Sequence, residues 1–266
     1  MSDAVTYEVT DRLAVVTINR PDKRNAVSMD VFDGLLEAGE RAAAESTEEG
    51  GVGAVLVRGA EGVFSAGIDL STFGNQLSED TGEAEMDAFI SHLQQAFTVF
   101  EDLDVPSIAA IEGYCFGAGI QLAAACHVRL VTADAQISVL ERRWGLVPDL
   151  GGCYRLPRLV GLGRATELAL TARRVSGKDA VTMGLCDVLL PDEHPQEAAW
   201  EYAMALANGP GAVRRVPRLM RENLGRDRET GLAAERATQM ATMAGPDFRE
   251  AVMAGLEGRE PRFAGR

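Results

Sequence analysis

Twice in this 266-residue chain an apolar run is followed by a loop of glycine and other small residues, and that recurrence limits the folds open to it. The first run is GAVLVRG (53–59), with the loop FSAGIDL (64–70) behind it. The second is SIAAIEG (107–113), which leads into GYCFGAG (113–119). Apolar stretches of this length bounded by glycines read as buried strands. The second loop runs straight into IQLAAACHV (120–128), a small-residue helix. A longer amphipathic helix is expected over 84–103, ending before Val105-Pro106. Strands alternating with helices imply an α/β fold whose loops gather at one end of a sheet, where a site can form.

The remaining segments fit that plan. Residues 4–10 and 12–18 are β-rich and meet at the polar pair Asp11-Arg12, so they read as a hairpin. Met29, Phe32, Leu35 and Leu36 recur at helical spacing through 28–45, with Ser28 as N-cap. RLVTADA (129–135) and QISV (136–139) read as strands, the stretch up to Gly152 as a loop, and the chain from Arg164 onward as almost wholly helical. The organisation expected is thus β-β-α units carrying the site in 1–195, then a helical region in 196–266.

Composition narrows the classes of function. Hydrophobic residues at 46% and charged residues at 25% suit an ordinary globular protein. No apolar run approaches the roughly 20 residues of a membrane span. The start, MSDAVTYEV, has no basic stretch ahead of an apolar core, so a cytoplasmic location is expected. A net charge of −14 argues against nucleic acid as a partner. A phosphate-bearing ligand would need a local basic cluster, either Arg20, Lys23 and Arg24 or Arg259, Arg262 and Arg266. Cys115, Cys126, Cys153 and Cys186 show no paired spacing, and His92, His127 and His194 do not complete a zinc set. Buried, reduced thiols and no metal site are therefore expected.

The two loops are where chemistry could sit. Small residues let a ligand approach the main chain, and two N–H groups converging on one oxygen make an oxyanion hole. The second loop adds a helix N-terminus, which favours an anion. Either loop alone is equally a tight connection packed by small residues. A nucleotide-dependent dehydrogenase is disfavoured, because no Gly-x-Gly-x-x-Gly follows the first strand, and Gly161-Leu162-Gly163 has no clear strand before it.

Taken together with INRPDKRNAVS (18–28), AQISVLERRWGLVPDLGGCYRLPRLVG (135–161), GKDAVTMGLCDVLLP (177–191) and DFREAVMAGLEGREP (247–261), the two loops resemble the crotonase superfamily of enoyl-CoA hydratases and isomerases. The resemblance implies a spiral of ββα units with a helical C-terminal trimerisation region, as a homo-trimer or a dimer of trimers. It implies an acyl-CoA thioester whose carbonyl sits between the backbone N–H groups of Ile68 and Ala118. Coenzyme A then arrives as part of the substrate, and no separate cofactor is implied. Arg24, Asn25 and Ala26 match the segment lining the CoA pocket, and Ala66, Asp69 and Leu70 match the wall near pantetheine and adenine. Residues 71–90 match the region shaping the acyl pocket, beginning with an acidic loop.

Proton transfer beside a thioester carbonyl calls for positioned carboxylates. Where hydrating relatives carry a first glutamate, this chain has Gln121, which can orient a water or a carbonyl but cannot shuttle protons. The second glutamate position matches Glu141, whose neighbours Leu140, Trp144 and Leu146 suggest partly apolar surroundings and hence a proton held near neutral pH. The plainer alternative is a solvated Glu141 paired with Arg142 or Arg143. Asp149 lies in Pro148-Asp149-Leu150-Gly151, an ordinary turn signature, but the resemblance places a proton-shuttling acid there. Gln121, Glu141 and Asp149 together favour double-bond isomerisation. Hydration by Glu141 with a Gln121-held water is the rival, and a non-catalytic acyl-CoA-binding protein is the other alternative.

Overall fold

The computed structural model describes residues 3–48, 50–73 and 82–265. The chain opens with the antiparallel pair β1 (Val5–Thr10) and β2 (Leu13–Ile18). Asp11 and Arg12 between them hold φ of 46° and 70°, the left-handed turn whose twist matches that of the strands it joins. Helix α1 (Met29–Ser46), strand β3 (Ala54–Gly59) and helix α2 (Glu83–Glu101) follow. Next come β4 (Ser107–Ile111), β5 (Tyr114–Phe116) and α3 (Ala118–Ala125). Then β6 (Val128–Val131) and β7 (Gln136–Ser138) lead through a 3-10 turn at Glu141–Trp144 into α4 (Gly152–Val160). The pattern is a recurring ββα unit, as expected.

After α5 (Leu162–Thr171), β8 (Val175–Ser176), α6 (Gly177–Met183) and β9 (Val188–Leu189), the chain is helical. The main sheet runs β1-β2-β3-β4-β6-β9 and is parallel from β2 onward. A small second sheet has the order β5-β7-β8. Strands parallel to one another need crossovers, and here these supply the helices that bury the sheet.

Alternation along the strands splits the core in two. Ala14, Val16, Val55, Val57, Ala109 and Ile111 point into the larger cluster, with Phe32 and Leu35 of α1 and Phe97 and Phe100 of α2. Phe32 and Phe97 stack at 5.4 Å, locking the two helices together. Leu13, Val15, Leu56, Ile108 and Leu130 point the other way, against Ala199, Ala203 and Ala207 of α7 (Pro195–Ala207). Those alanines recur every fourth residue, which puts them on one helix face. The 195/196 division expected from sequence thus falls at the head of a helix that seals one face of the sheet. Every residue of α3 is buried, as befits a helix that is apolar all round.

Several expectations need correcting. The strand read over 129–135 ends at Val131. The region from Arg164 is interrupted by β8 and β9, the latter forming one edge of the main sheet. Ser28 occupies the N-cap position of α1, but its hydroxyl makes no cap bond and is buried without a partner. Cys115, Cys126 and Cys186 are buried free thiols, whereas Cys153 is exposed.

Helices α8 (Ala212–Asn223), α9 (Arg228–Met243) and α10 (Pro246–Glu257) complete the chain. The buried Asp247 of α10 ties the head of α8 to the C-terminal tail, its carboxylate accepting from Gly211, Ala264 and Gly265 N–H. Arg259 of the expected C-terminal basic cluster is committed to Glu250 and Glu257, and Arg266 lies outside the described residues. Among the described residues no helix is long and apolar enough to cross a membrane.

Candidate active site

The two small-residue loops lie side by side. Ser65 N–H donates to Tyr114 O at 2.8 Å and Phe116 N–H to Ser65 O at 3.0 Å, a one-residue parallel bridge between Ser65 and Cys115. On its other flank the first loop is bonded to Val27, whose N–H donates to Gly67 O and whose carbonyl accepts from Asp69 N–H. The buried Ser65 hydroxyl donates to Asn25 O and accepts from Gly67 N–H. Ile68 thus sits between two residues whose backbones are pinned. Ala118 is the first residue of α3, where an N–H has no intrahelical partner. Among the described residues, neither the Ile68 nor the Ala118 N–H meets a hydrogen-bond acceptor.

Two glycines make this arrangement possible. Gly67 has φ of 103°, and a side chain there would stand 3.0 Å from Phe116 O. Gly117 combines φ of 51° with ψ of −115°, a backbone that side chains disfavour, and it turns β5 into α3 so that the helix N-terminus faces the first loop.

Ile68 and Ala118 both open onto a pocket of about 240 Å³. Its polar groups are Gln121, Glu141 and Asp149, and its apolar wall includes Phe73, Met86, Phe89, Ile90, Leu93 and Leu150. Phe73, Met86, Phe89 and Ile90 fall in the segment expected to shape the acyl pocket; positions 74–81 of that segment lie outside the described residues.

Glu141 is only 7% exposed. Among the described residues it makes no ion pair with Arg142 or Arg143, which are exposed. Its Oε1 accepts from Gln121 Nε2 at 2.6 Å, while Oε2 is buried with no partner. Gln121 Oε1 in turn accepts from Gly152 N–H at 2.9 Å. That second bond fixes which end of the amide is oxygen, so the NH₂ end must face Glu141. Gln121 therefore orients Glu141 directly, and it also lines the pocket in which it is expected to orient a water or a carbonyl.

Burial raises the proton affinity of Glu141 above that of an ordinary carboxyl. Its own backbone N–H and the Gln121 donor pull the other way, and the charge of Asp149 adds to the rise. Burial also raises Asp149, whose backbone carbonyl accepts from Gln94 Nε2 at 2.6 Å. Trp144 does not shield Glu141, being 56% exposed; Leu146 lines the pocket despite partial exposure. Two carboxyls whose proton affinity is raised by burial thus line one apolar pocket with Ile68 and Ala118.

The residues expected to meet CoA divide into two sets. Asn25 is wholly buried, its side chain accepting from Arg20 N–H and donating to Ala60 O and Val63 O. It holds the turn at φ of 55°, after Arg24 at 51°, instead of offering its amide to a ligand. Asp69 is committed to Arg20 and to Ser71, and that hydrogen bonding from Ser71 holds its carboxyl below the usual range. Ala66 is fixed by its N–H bond to Arg24 O. Arg24 and Leu70 are exposed and Ala26 is half-buried, all beside the loop that carries Ile68. Of the first basic cluster, Arg20 is thus neutralised, whereas Lys23 and Arg24 face solvent. Among the described residues no cluster of His, Cys, Asp and Glu is arranged to hold a metal.

A family model for enoyl-CoA hydratase/isomerase matches residues 8–266. The chain belongs to the enoyl-CoA hydratase/isomerase family. It is an enzyme of the crotonase type, and its relatives fit the geometry. It is 32% identical over 259 residues to the mitochondrial methylglutaconyl-CoA hydratase of Mus musculus, covering 95% of this chain and 80% of that one. It is 37% identical over 197 residues to a glyoxysomal fatty acid β-oxidation multifunctional protein of Cucumis sativus; the match takes in 74% of this chain but only 26% of that protein. Among solved structures, a Thermobifida fusca YX protein in complex with acetoacetyl-CoA superposes with a TM-score of 0.80 and 32% identity, covering 91% of this chain and 95% of that one. That protein thus holds acetoacetyl-CoA on a fold of this kind. Sequence reasoning missed Gly152, whose N–H aims the Gln121 amide, and Leu93 and Leu150 in the pocket wall.

Proposed function

We propose that this enzyme shifts a double bond within an enoyl-CoA thioester. The observation that carries the reading is the meeting, in one apolar pocket, of two carboxyls with raised proton affinity and the free N–H groups of Ile68 and Ala118. The thioester carbonyl accepts from both amides, so that negative charge developing on its oxygen is stabilised by about 3 kcal/mol per donor. One of Glu141 and Asp149 removes a proton from the α or γ carbon, and the resulting dienolate takes a proton back at the other carbon. A double-bond shift is redox-neutral, so it needs only a proton acceptor and donor, and coenzyme A enters with the substrate. Groups whose proton affinity lies nearer neutrality can both take and return that proton.

Hydration is the second reading. The unpartnered Glu141 Oε2 could hold a water, and the mouse relative is named as a hydratase. The two separate in an assay of the purified protein on a 3-enoyl-CoA and on crotonyl-CoA. Isomerisation predicts that the 3-enoyl-CoA gains the conjugated absorbance. Rapid loss of that absorbance from crotonyl-CoA, with no action on the 3-enoyl-CoA, would sink it. Binding of acyl-CoA with no turnover of either would favour the non-catalytic alternative.

The working form is proposed to be a trimer or a dimer of trimers in the cytoplasm. The exposed Met220, Leu224, Met240, Phe248, Val252 and Leu256 of α8, α9 and α10 support self-association, since apolar patches of this kind mark interfaces.

A further inference from the structure

We infer that the acyl chain accepted by the pocket is an uncharged hydrocarbon, and that thioesters of dicarboxylic acids are excluded. The inference rests on the thioester reading above and asks what lies beyond the carbonyl. From the free amides of Ile68 and Ala118 the pocket runs along Phe73, Met86, Phe89, Ile90 and Leu93, an apolar wall with two aromatic rings in edge contact at 6.4 Å.

The ionisable groups in that pocket are Glu141 and Asp149, both acids. Among the described residues no Arg, Lys or His lines it. The basic residues next to Glu141 in sequence, Arg142 and Arg143, are exposed and outside the pocket. The buried guanidinium behind the floor, that of Arg155, is already bonded to Glu101 and to the Leu150 carbonyl.

A carboxylate at the far end of the acyl chain would therefore leave water for an apolar wall with no cation to pair with. It would also approach two acids. If these are ionised, like charges repel; if they are protonated, the incoming charge still lacks a counter-ion. A methyl terminus meets neither cost and buries apolar surface instead. This separates the chain from the mouse relative, whose name specifies a dicarboxylic acyl group, despite 32% identity.

The test compares pentanoyl-CoA with glutaryl-CoA, saturated thioesters of equal chain length that differ in a terminal methyl or carboxylate. Calorimetry on the purified full chain should show glutaryl-CoA binding at least ~10-fold more weakly. A glutaryl-CoA affinity within ~10-fold of that for pentanoyl-CoA would overturn the inference. Failure of both to bind would remove the thioester reading, and this inference with it. A second variant checks the location: Ile90→Lys places a cation in the wall and should bring the two affinities closer together. An unchanged ratio in a folded Ile90→Lys protein would count against the apolar wall as the discriminating element.

Discussion

The two sides of the pocket are built differently. On the oxyanion side, loops 64–70 and 113–119 are held by backbone bonds to one another and to Val27, and the groups offered to a ligand are themselves backbone. On the acid side, the stretch 141–150 is held by side chains reaching from elsewhere. Gln121 grips Glu141, Gln94 grips the carbonyl of Asp149, and Arg155 grips the carbonyl of Leu150. On the proposed reading, thioester binding rests on main-chain groups, with the Ser65 hydroxyl and the Asn25 amide bracing the first loop, whereas the reaction rides on a few amides and acids that substitution can retune. Members of one family can thus share the first side while differing on the second.

That contrast can be broken most decisively at Glu141. Glu141→Gln keeps the shape but removes the proton carrier, and turnover should fall roughly 100- to 10,000-fold. Asp149→Asn should fall by a comparable factor if the two acids share the work. Affinity for a saturated acyl-CoA should hardly move in either variant. Should both retain full turnover in steady-state assays, the acid side would be wrongly assigned.

The opposite side is probed by Ala118→Pro. Proline is tolerated at the first position of a helix, where it removes the N–H and sets its own ring Cδ in that place. Turnover should drop roughly 100- to 1,000-fold, with thermal unfolding little changed. Unimpaired kcat in a correctly folded variant would show that this amide does not hold the developing oxyanion.

A smaller effect is expected from Gln121→Leu. Donation from Gln121 favours the charged form of Glu141, and burial opposes it. Removing the donor raises the proton affinity of Glu141 further, so the limb of the pH–rate profile set by its ionisation should move to higher pH. Turnover should fall ~10-fold, since geometry is loosened without loss of the acid. A limb that stays in place, or moves to lower pH, would show that Gln121 does not act through Glu141.

The meeting of the two small-residue loops was legible in the sequence because it depends on what the backbone requires. Gly67 and Gly117 are needed at positive φ, small residues allow close approach, and the buried strand before each loop is a plain apolar run. The acid side was legible only in part. Glu141 and Asp149 stood out as acids, but the shielding expected from Trp144 falls to other groups because that ring turns outward. The Gln121 bonds join residues 20 and 31 positions apart, a closure that no local pattern encodes. Asn25 matches the segment expected to line the CoA pocket, and its side chain is bonded to protein at both its oxygen and its nitrogen. The two-residue strands β8 and β9 are too short to show any period, and form because the sheets leave open edges beside them.

The bridge between Ser65 and Cys115 joins parts of the chain some fifty residues apart. Contacts of such long range form late, after the entropy of closing the intervening loop has been met. A chain that has folded only its first ββα unit would own the Ile68 amide without its Ala118 counterpart. If those two amides hold the thioester as proposed, its affinity belongs to the finished molecule alone, so substrate draws the population toward completion by mass action and leaves partly folded chains unaided.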